Sequence, residues 1–151
     1  MFVRPIYFTT TKYFCFFINR ETVVVYIDFR RAFDSIVFNK LLAKLAHCGI
    51  SGNLLKFISA FIHNREQCVV LDNCFSSVTN VLSGVPQGSV LGPVLFLIFI
   101  NDVSSICIGE SKLKLFVDDV NLYTSYVNVT NCVNLQLSID LLSSWAKSWQ
   151  L

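Results

Sequence analysis

The stretch "KLKLFVDDVNLYTSY", Lys112 to Tyr126, sets two adjacent carboxylates, Asp118 and Asp119, between two runs of alternating residues. Leu113, Leu115 and Val117 alternate with Lys112, Lys114 and Phe116, and Val120, Leu122 and Thr124 alternate with Asn121 and Tyr123. This period of two predicts a β-hairpin with the acids at its tip. Asp suits a tight hairpin loop, so the pair alone reads first as a turn and only second as part of a metal site. A third acid changes the balance. Asp28 closes "TVVVYIDF", Thr22 to Phe29, whose β-branched composition predicts a central strand buried on both faces. A carboxylate ending such a strand needs a hydrogen bond, a cation or a metal against desolvation. With that strand beside the hairpin, three carboxylates converge at one sheet edge, close enough to share metal ions. Their oxygen donors select Mg²⁺ or Mn²⁺. Two such ions about 3.5–4 Å apart activate an attacking hydroxyl and stabilise a leaving oxygen in phosphoryl transfer.

The loop "SGVPQGS", Ser83 to Ser89, is a second candidate. Gly84 and Gly88 let backbone approach a ligand, Gln87 offers a donor and an acceptor, and Ser89 suits the cap of a following helix. An ordinary loop is the plainer reading of the same residues.

Around these residues the pattern predicts further elements. Phe38, Leu41, Leu42 and Leu45 recur at helical spacing, with Gly49 as the stop. "NLLKFISAFIHN" reads as a second helix with Ser51 as its cap. "QCVVL" and "SSVTNVL" read as strands around the turn-like Asp72-Asn73, and an apolar helix is expected from about Val90 to Ile100. A last helix, about Thr130 to Trp149, is expected to bury a stripe of Val133, Leu137, Leu141, Leu142 and Trp145. The order strand, helix, helix, two strands, helix, two strands, helix is an α+β layout, an antiparallel sheet with helices over one face.

Composition sets bounds. A chain of 151 residues is the size of one domain. Its charged fraction, 15%, is low against a typical ~25%. With 54% hydrophobic residues, this predicts a piece of something larger, part of whose surface is covered. A net charge of +2 neither identifies nor excludes a polyanionic partner. The six Cys form no C-x-x-C pair and make no zinc spacing with His47 and His63, so buried reduced thiols are expected. No secretion signal is recognisable, and the longest apolar run, Val90 to Ile100, is shorter than the ~20 residues of a membrane-spanning helix. The expectation is an intracellular, reducing setting, nucleus or cytoplasm, with no membrane partner.

Taken in order, "YIDFRRAFD" (Tyr26 to Asp34), "GVPQGSVLGPVLFLIFIND" (Gly84 to Asp102) and "FVDD" (Phe116 to Asp119) resemble the palm motifs of reverse transcriptases. The closest resemblance is to the non-LTR, LINE-like retrotransposon branch, which "NREQCVVLDNCFSS" and the two Trp of "LLSSWAKSW" also resemble. The resemblance covers residues 22–151. It implies a palm-like antiparallel sheet with helices on one face, incomplete at both ends and truncated before the last palm strand and thumb. Residues 1–21 do not match, since Arg4, Lys12 and Arg20 lack the pattern of the family's fingers motifs.

The resemblance also assigns roles. Asp28 and Asp118 would ligate two Mg²⁺ or Mn²⁺ ions and Asp119 would complete the triad. Phe33 would be an aromatic gate under the sugar of the incoming dNTP, with a plain core residue as the alternative. Pro86, Gln87 and Gly88 would line the nucleotide and template pocket. Asp34 is expected to make structural hydrogen bonds, and Arg30 and Arg31 to sit near phosphates or in solvent. The implied partners are an RNA template, a DNA primer and dNTP, with fingers, thumb and endonuclease segments elsewhere. Val117 stands where the family has Ala, which is expected to lower activity without abolishing it. The rival expectation is a non-catalytic retrotransposon remnant, poorly folded or serving as an interaction module.

Overall fold

The structure, a computed structural model, describes residues 5–7, 11–17, 22–125 and 129–151. Along the chain run β1 (Pro5–Tyr7), β2 (Thr11–Phe17), β3 (Thr22–Phe29), α1 (Phe38–His47), α2 (Gly52–Ile62), β4 (Glu66–Gln67) and β5 (Val70–Leu71). Then follow β6 (Cys74–Phe75), β7 (Thr79–Asn80), α3 (Leu91–Ile100), a 3-10 helix (Asn101–Ile106), β8 (Lys112–Phe116), β9 (Asp119–Ser125) and α4 (Val129–Trp149). These elements form two compact units, Met1–Ala32 with Ile100–Leu151, and Phe33–Phe99.

The first unit is built on a five-stranded sheet, β1-β2-β3-β9-β8, antiparallel throughout. The strand predicted over Thr22 to Phe29 is present at those bounds. It differs in burial. Val23, Val25, Ile27 and Phe29 are buried, whereas Val24 is half-buried and Tyr26 and Asp28 are exposed. A run of β-branched residues satisfies either environment, and here it packs on one face only. Asp28 is therefore not desolvated, and that part of the case for a compensating metal falls away.

The buried face is a set of register pairs. Val23 faces Thr124, Val25 faces Leu122, and Ile27 faces Val120, all of them buried. Removing each such aliphatic side chain from water contributes about 1.5–3 kcal/mol, so a one-residue slip, which would turn this face outward, is strongly opposed. Against this side packs α4. Its buried residues are Asn131, Leu135, Ser138, Leu142 and Ala146, while Val133, Leu137 and Leu141 of the expected stripe are exposed and Trp145 is half-buried. The helix is turned because its inner face meets backbone as well as apolar side chains. Ser138 Oγ accepts a hydrogen bond from the Ile108 amide at 3.0 Å and donates one to the Asn134 carbonyl at 2.9 Å. A polar position thus becomes a contact position.

The second unit holds α1, α2 and most of α3. Phe38, Leu41 and Leu45 of α1 are buried, as are Ile58 and Ile62 of α2 and Leu95, Phe96 and Phe99 of α3. Helix α1 ends as expected at Gly49, whose amide bonds the Ala46 carbonyl at 3.0 Å while Ile50 bonds Leu45 at 3.0 Å, a Schellman closure. Lys44, also buried, donates from Nζ to the Phe99 carbonyl and lies 4.6 Å from the centre of that ring. Ser51 occupies the N-cap of α2 without making a side-chain cap bond.

Where two longer strands were expected, the chain forms four short ones. Strand β4 pairs with β7, and β5 with β6. Asp72 and Asn73, both at positive φ (48° and 63°), make the turn between β5 and β6, the pattern of a type I′ hairpin. Among the described residues these strands join no larger sheet, and they are exposed. Among the described residues no helix is long and apolar enough to cross a membrane.

Candidate active site

The hairpin predicted around Asp118 and Asp119 is formed by β8 and β9, closed by the pair Phe116 and Asp119, with Val117 and Asp118 as its two loop residues. Val117 has φ +58° and Asp118 is not in the positive-φ region, the pattern of a type II′ turn. That first loop position favours Gly. A β-branched side chain there is strained, at a cost on the order of 1–3 kcal/mol.

Register fixes the next relationship. Asp28, the seventh residue of β3, is the cross-strand partner of Asp119, the first residue of β9. Both are exposed, and Asp118 beside them is half-buried. Asp28 also has Lys12 as its register partner on the other side, across β2–β3. Like charges directly opposite on a sheet destabilise the pairing, and a divalent cation between them would offset it. The donor set is thus of the kind a hard cation takes. The expected convergence of Asp28, Asp118 and Asp119 to within reach of shared ions is not met: among the described residues no three His, Cys, Asp or Glu side chains are grouped to hold a metal. On the same sheet face, the next rows carry Tyr26, Asn121 and Lys114, then Val24, Tyr123 and Lys112, with Lys114 Nζ 5.6 Å from the Tyr123 ring centre.

Behind this edge is an aromatic support that composition did not reveal. Phe29, next to Asp28 and fully buried, lies 6.1 Å from Trp145 at an interplanar angle of 46°. The Trp145 indole N–H donates to Asp102 Oδ2 at 3.3 Å, and Trp149 follows at 6.5 Å. The i, i+4 spacing of the two Trp was visible; their acceptor, 43 residues earlier, was not.

Phe33, Pro86, Gln87 and Gly88 belong to the second unit. Phe33 is half-buried and stacks on Phe96 of α3, ring centres 4.4 Å apart and planes 18° from parallel. The loop bearing Gln87 lies along residues 33–36. Gly84 N–H bonds Ile36 O at 2.8 Å, Val85 N–H bonds Phe33 O at 2.9 Å, and Ser83 Oγ bonds Asp34 O at 2.7 Å. Gly84 is at φ +87°, and a Cβ there would sit 2.8 Å from Asp34 Cα and 3.0 Å from Phe33 O. No other residue fits. Gly88, at φ +78°, has open space around it, so its backbone conformation alone selects Gly. Gln87 Nε2 donates to Asp34 Oδ1 at 2.6 Å. Ser89 Oγ accepts from Gly92 N–H at 3.0 Å, which is the cap expected for α3.

Arg65 was missed by sequence reasoning. It donates from Nε to Ile62 O at 2.9 Å and from a terminal nitrogen to Gly84 O at 2.5 Å, and lies over the Phe38 ring. Desolvation by burial lowers its pKa from the usual guanidinium value. Nothing in its local sequence distinguishes it from a solvated arginine. Arg30 and Arg31 are exposed, and Arg4 and Arg20 lie outside the described residues.

Comparison with known proteins gives one family. Residues 6–151 match the family described as reverse transcriptase (RNA-dependent DNA polymerase). The RNA-directed DNA polymerase from mobile element jockey of Drosophila funebris is 34% identical over 133 residues, taking in 83% of this chain and 14% of the relative. A probable RNA-directed DNA polymerase from transposon X-element of Drosophila melanogaster is 29% identical over 131 residues, 84% of this chain and 14% of that protein. A retrovirus-related Pol polyprotein from the type-1 retrotransposable element R2 of Popillia japonica is 30% identical over 80 residues, 53% of this chain and 13% of the relative. The chain therefore spans about one-seventh of the length of the jockey and X-element relatives.

Proposed function

This chain belongs to the reverse transcriptase family, and from that premise we propose that it is the palm-like catalytic segment of a non-LTR retrotransposon RNA-directed DNA polymerase. In the longer polymerase a primer 3′-hydroxyl would attack the α-phosphate of a dNTP on an RNA template, with pyrophosphate leaving. The observation that carries this reading is the register of Asp28 with Asp119 across β3 and β9, with Asp118 in the adjoining turn.

In this reading Asp28, Asp118 and Asp119 hold two Mg²⁺ or Mn²⁺ ions. When bound, the ions supply Lewis-acid stabilisation of the charge that develops on the phosphoryl oxygens and the leaving group. The chain's own part is to keep carboxylate oxygens on the rim of a rigid sheet, where β3 and β9 fix their separation. Phe33 stands under the sugar of the dNTP, its stacking on Phe96 limiting the ring's freedom to move aside for a 2′-hydroxyl. Pro86, Gln87 and Gly88 line the nucleotide and template pocket. An intracellular setting goes with this reading, although the buried thiols expected from the sequence are not found: Cys48, Cys68, Cys74 and Cys132 are exposed and Cys107 is half-buried.

The test has two stages. Mn²⁺ binding to the chain, followed by electron paramagnetic resonance, should fall at least tenfold in Asp28→Asn and in Asp118→Asn. Residues 6–151, exchanged for the matching segment of the jockey polymerase, should then extend a primer on RNA, and Asp118→Asn in that chimera should abolish extension. Mn²⁺ binding that ignores both substitutions would sink the assignment. The isolated chain is expected to extend little or not at all, because correct positioning of reactants accounts for ~7–11 kcal/mol of such barriers and most of the relatives' length is not in this chain.

A second reading is a non-catalytic remnant acting as an interaction module. Val69, Leu71, Phe75 and Leu82, each at least 70% exposed around the short ladders, favour it. An inactive chimera whose Mn²⁺ affinity is independent of the three acids would select it.

A further inference from the structure

Four hydrogen bonds fasten the loop 83–87 to residues 33–36, and they are not equivalent. Three of them, from Ser83 Oγ, Gly84 N and Val85 N, end on the main-chain carbonyls of Asp34, Ile36 and Phe33. These hold the loop whatever side chain stands at position 34. Arg65 adds a further tie at the Gly84 carbonyl. The fourth bond, Gln87 Nε2 to Asp34 Oδ1 at 2.6 Å, is the one that uses the Asp34 carboxylate. It is surplus to docking the loop. It does something the others do not.

A carboxylate can only accept, and an amide has one donating and one accepting end. Asp34 therefore selects the orientation of Gln87, drawing its NH₂ inward and leaving Oε1 to face outward. Both residues are exposed, so the outward end of the amide is open to a ligand. An unrestrained Gln at such a site would present either end, and would lose side-chain freedom on binding. We propose that Asp34 is a positioning residue that locks the Gln87 amide so that Oε1 accepts a hydrogen bond from a bound nucleotide, from a sugar hydroxyl or a base N–H. This rests on the assignment of Gln87 to the nucleotide pocket made above. It gives Asp34 a part in substrate recognition that needs no contact with metal or with the reacting atoms.

The lock and its use are measured separately. In ¹⁵N-labelled chain, the Gln87 side-chain amide pair should be held in one orientation. In Asp34→Ala both resonances should move toward the values of a free Gln, with the melting temperature nearly unchanged because the three main-chain bonds remain. Asp34→Asn, which can both accept and donate, guards against a folding defect and should give an intermediate shift. Unmoved Gln87 resonances in Asp34→Ala overturn the proposal, whatever the chain's function. Titration with dGTP and Mg²⁺ then tests the use. Gln87→Ala and Asp34→Ala should each weaken binding about five- to tenfold, and the double variant no further, as for residues acting through one bond. A loss in Gln87→Ala without one in Asp34→Ala overturns the inference and leaves the pocket assignment standing. No loss in Gln87→Ala, or no dGTP binding by the wild type, withdraws the pocket assignment and the proposal with it, even where the resonances shift as expected. Repeating the titration with 2′,3′-dideoxy-GTP locates the donor: a penalty that disappears places it on the sugar, and one that persists places it on the base, either of which supports the lock.

Discussion

Asp28 stands directly opposite Asp119 across the β3–β9 ladder, and its register partner on the other side, across β2–β3, is Lys12. Opposed like charges on a sheet cost about 0.2–1 kcal/mol, so the folded chain carries a small electrostatic penalty at this edge. Asp119→Asn should stabilise the metal-free chain at low ionic strength, by up to roughly 2–4 °C in melting temperature for a chain of this length, and Asp28→Asn should do so less, because it also gives up the opposite charge of Lys12 across β2–β3. Salt should shrink the gain, since both groups are exposed. Mg²⁺ should raise the melting temperature of the wild type and not of either variant. Thermal denaturation with and without Mg²⁺ checks all three, and a wild type indifferent to Mg²⁺ would count against the metal assignment.

Phe33 offers a sharper test of the substrate reading. Its ring is stacked on Phe96, which is fully buried, so truncation removes an aromatic contact of about 0.5–1.5 kcal/mol as well as any gate. In an active chimera, Phe33→Val should raise the efficiency of rNTP use relative to dNTP at least tenfold. A plain core role predicts that both substrates suffer together and that their ratio stays fixed. The ratio of kcat/KM values separates the two, independently of the stability loss.

How much of this was legible in the sequence depended on how local its cause was. The strand Thr22–Phe29, the hairpin bearing Asp118 and Asp119, the Gly49 helix stop and the Ser89 cap all follow from spacing within a few residues. The single-sided burial of β3 does not, because Val and Ile suit a half-buried and a fully buried strand alike. The rotation of α4 was equally hidden. Val133, Leu137 and Leu141 form a convincing apolar stripe, yet Ser138 and Asn131 face inward, since Ser138 satisfies the backbone of Ile108, 30 residues away. The same holds at the candidate site. The acids announced themselves, whereas Asp34–Gln87, 53 apart, and Trp145–Asp102, 43 apart, are pairings that no local pattern encodes.

Cys107 should behave unlike the other described thiols. Burial raises its pKa, whereas Cys48, Cys68, Cys74 and Cys132 are exposed. The thiolate is the reactive form, so at pH 8 iodoacetamide should modify the four exposed residues well before Cys107. The sign for stability follows. A thiol whose folded pKa is raised favours folding below the unfolded value, and that contribution is lost as pH rises through the folded value. Cys107→Ser should therefore flatten the decline in stability at alkaline pH, above about pH 8.5. Peptide mapping after timed alkylation and a melting series from pH 7 to pH 10 provide the two readouts.

Trp145 links the packing of α4 to the strand end that carries Asp28. Trp145→Phe keeps a ring against Phe29 and removes the indole donor to Asp102, which should cost about 1–2 kcal/mol. Trp145→Ala also removes the aromatic contact and should cost about 3–5 kcal/mol. Chemical denaturation measures both. If the Asp102 bond is the connection, Asp102→Ala should match Trp145→Phe, and combining them should add little. Fully additive losses would mean that the two residues stabilise the fold independently.

Val117 is the residue whose backbone conflicts with its side chain. It holds φ +58° at the first loop position of the β8–β9 hairpin, where the turn geometry favours Gly and a β-branched residue is strained. Val117→Gly should relieve that strain, while its greater freedom in the unfolded chain takes back part of the gain. The net expectation is a stabilisation of about 1 kcal/mol, with Val117→Ala smaller and in the same direction. The register of β8 with β9 should not change, because Leu113 and Leu122, and Leu115 and Val120, fix it from the inner face. Since Asp118 and Asp119 follow immediately, the same substitutions report on function. If the strained turn holds the acids in their working position, Val117→Gly will be more stable yet bind Mn²⁺ more weakly. If the strain is merely a departure from a better residue, Val117→Ala will gain stability and Mn²⁺ affinity together.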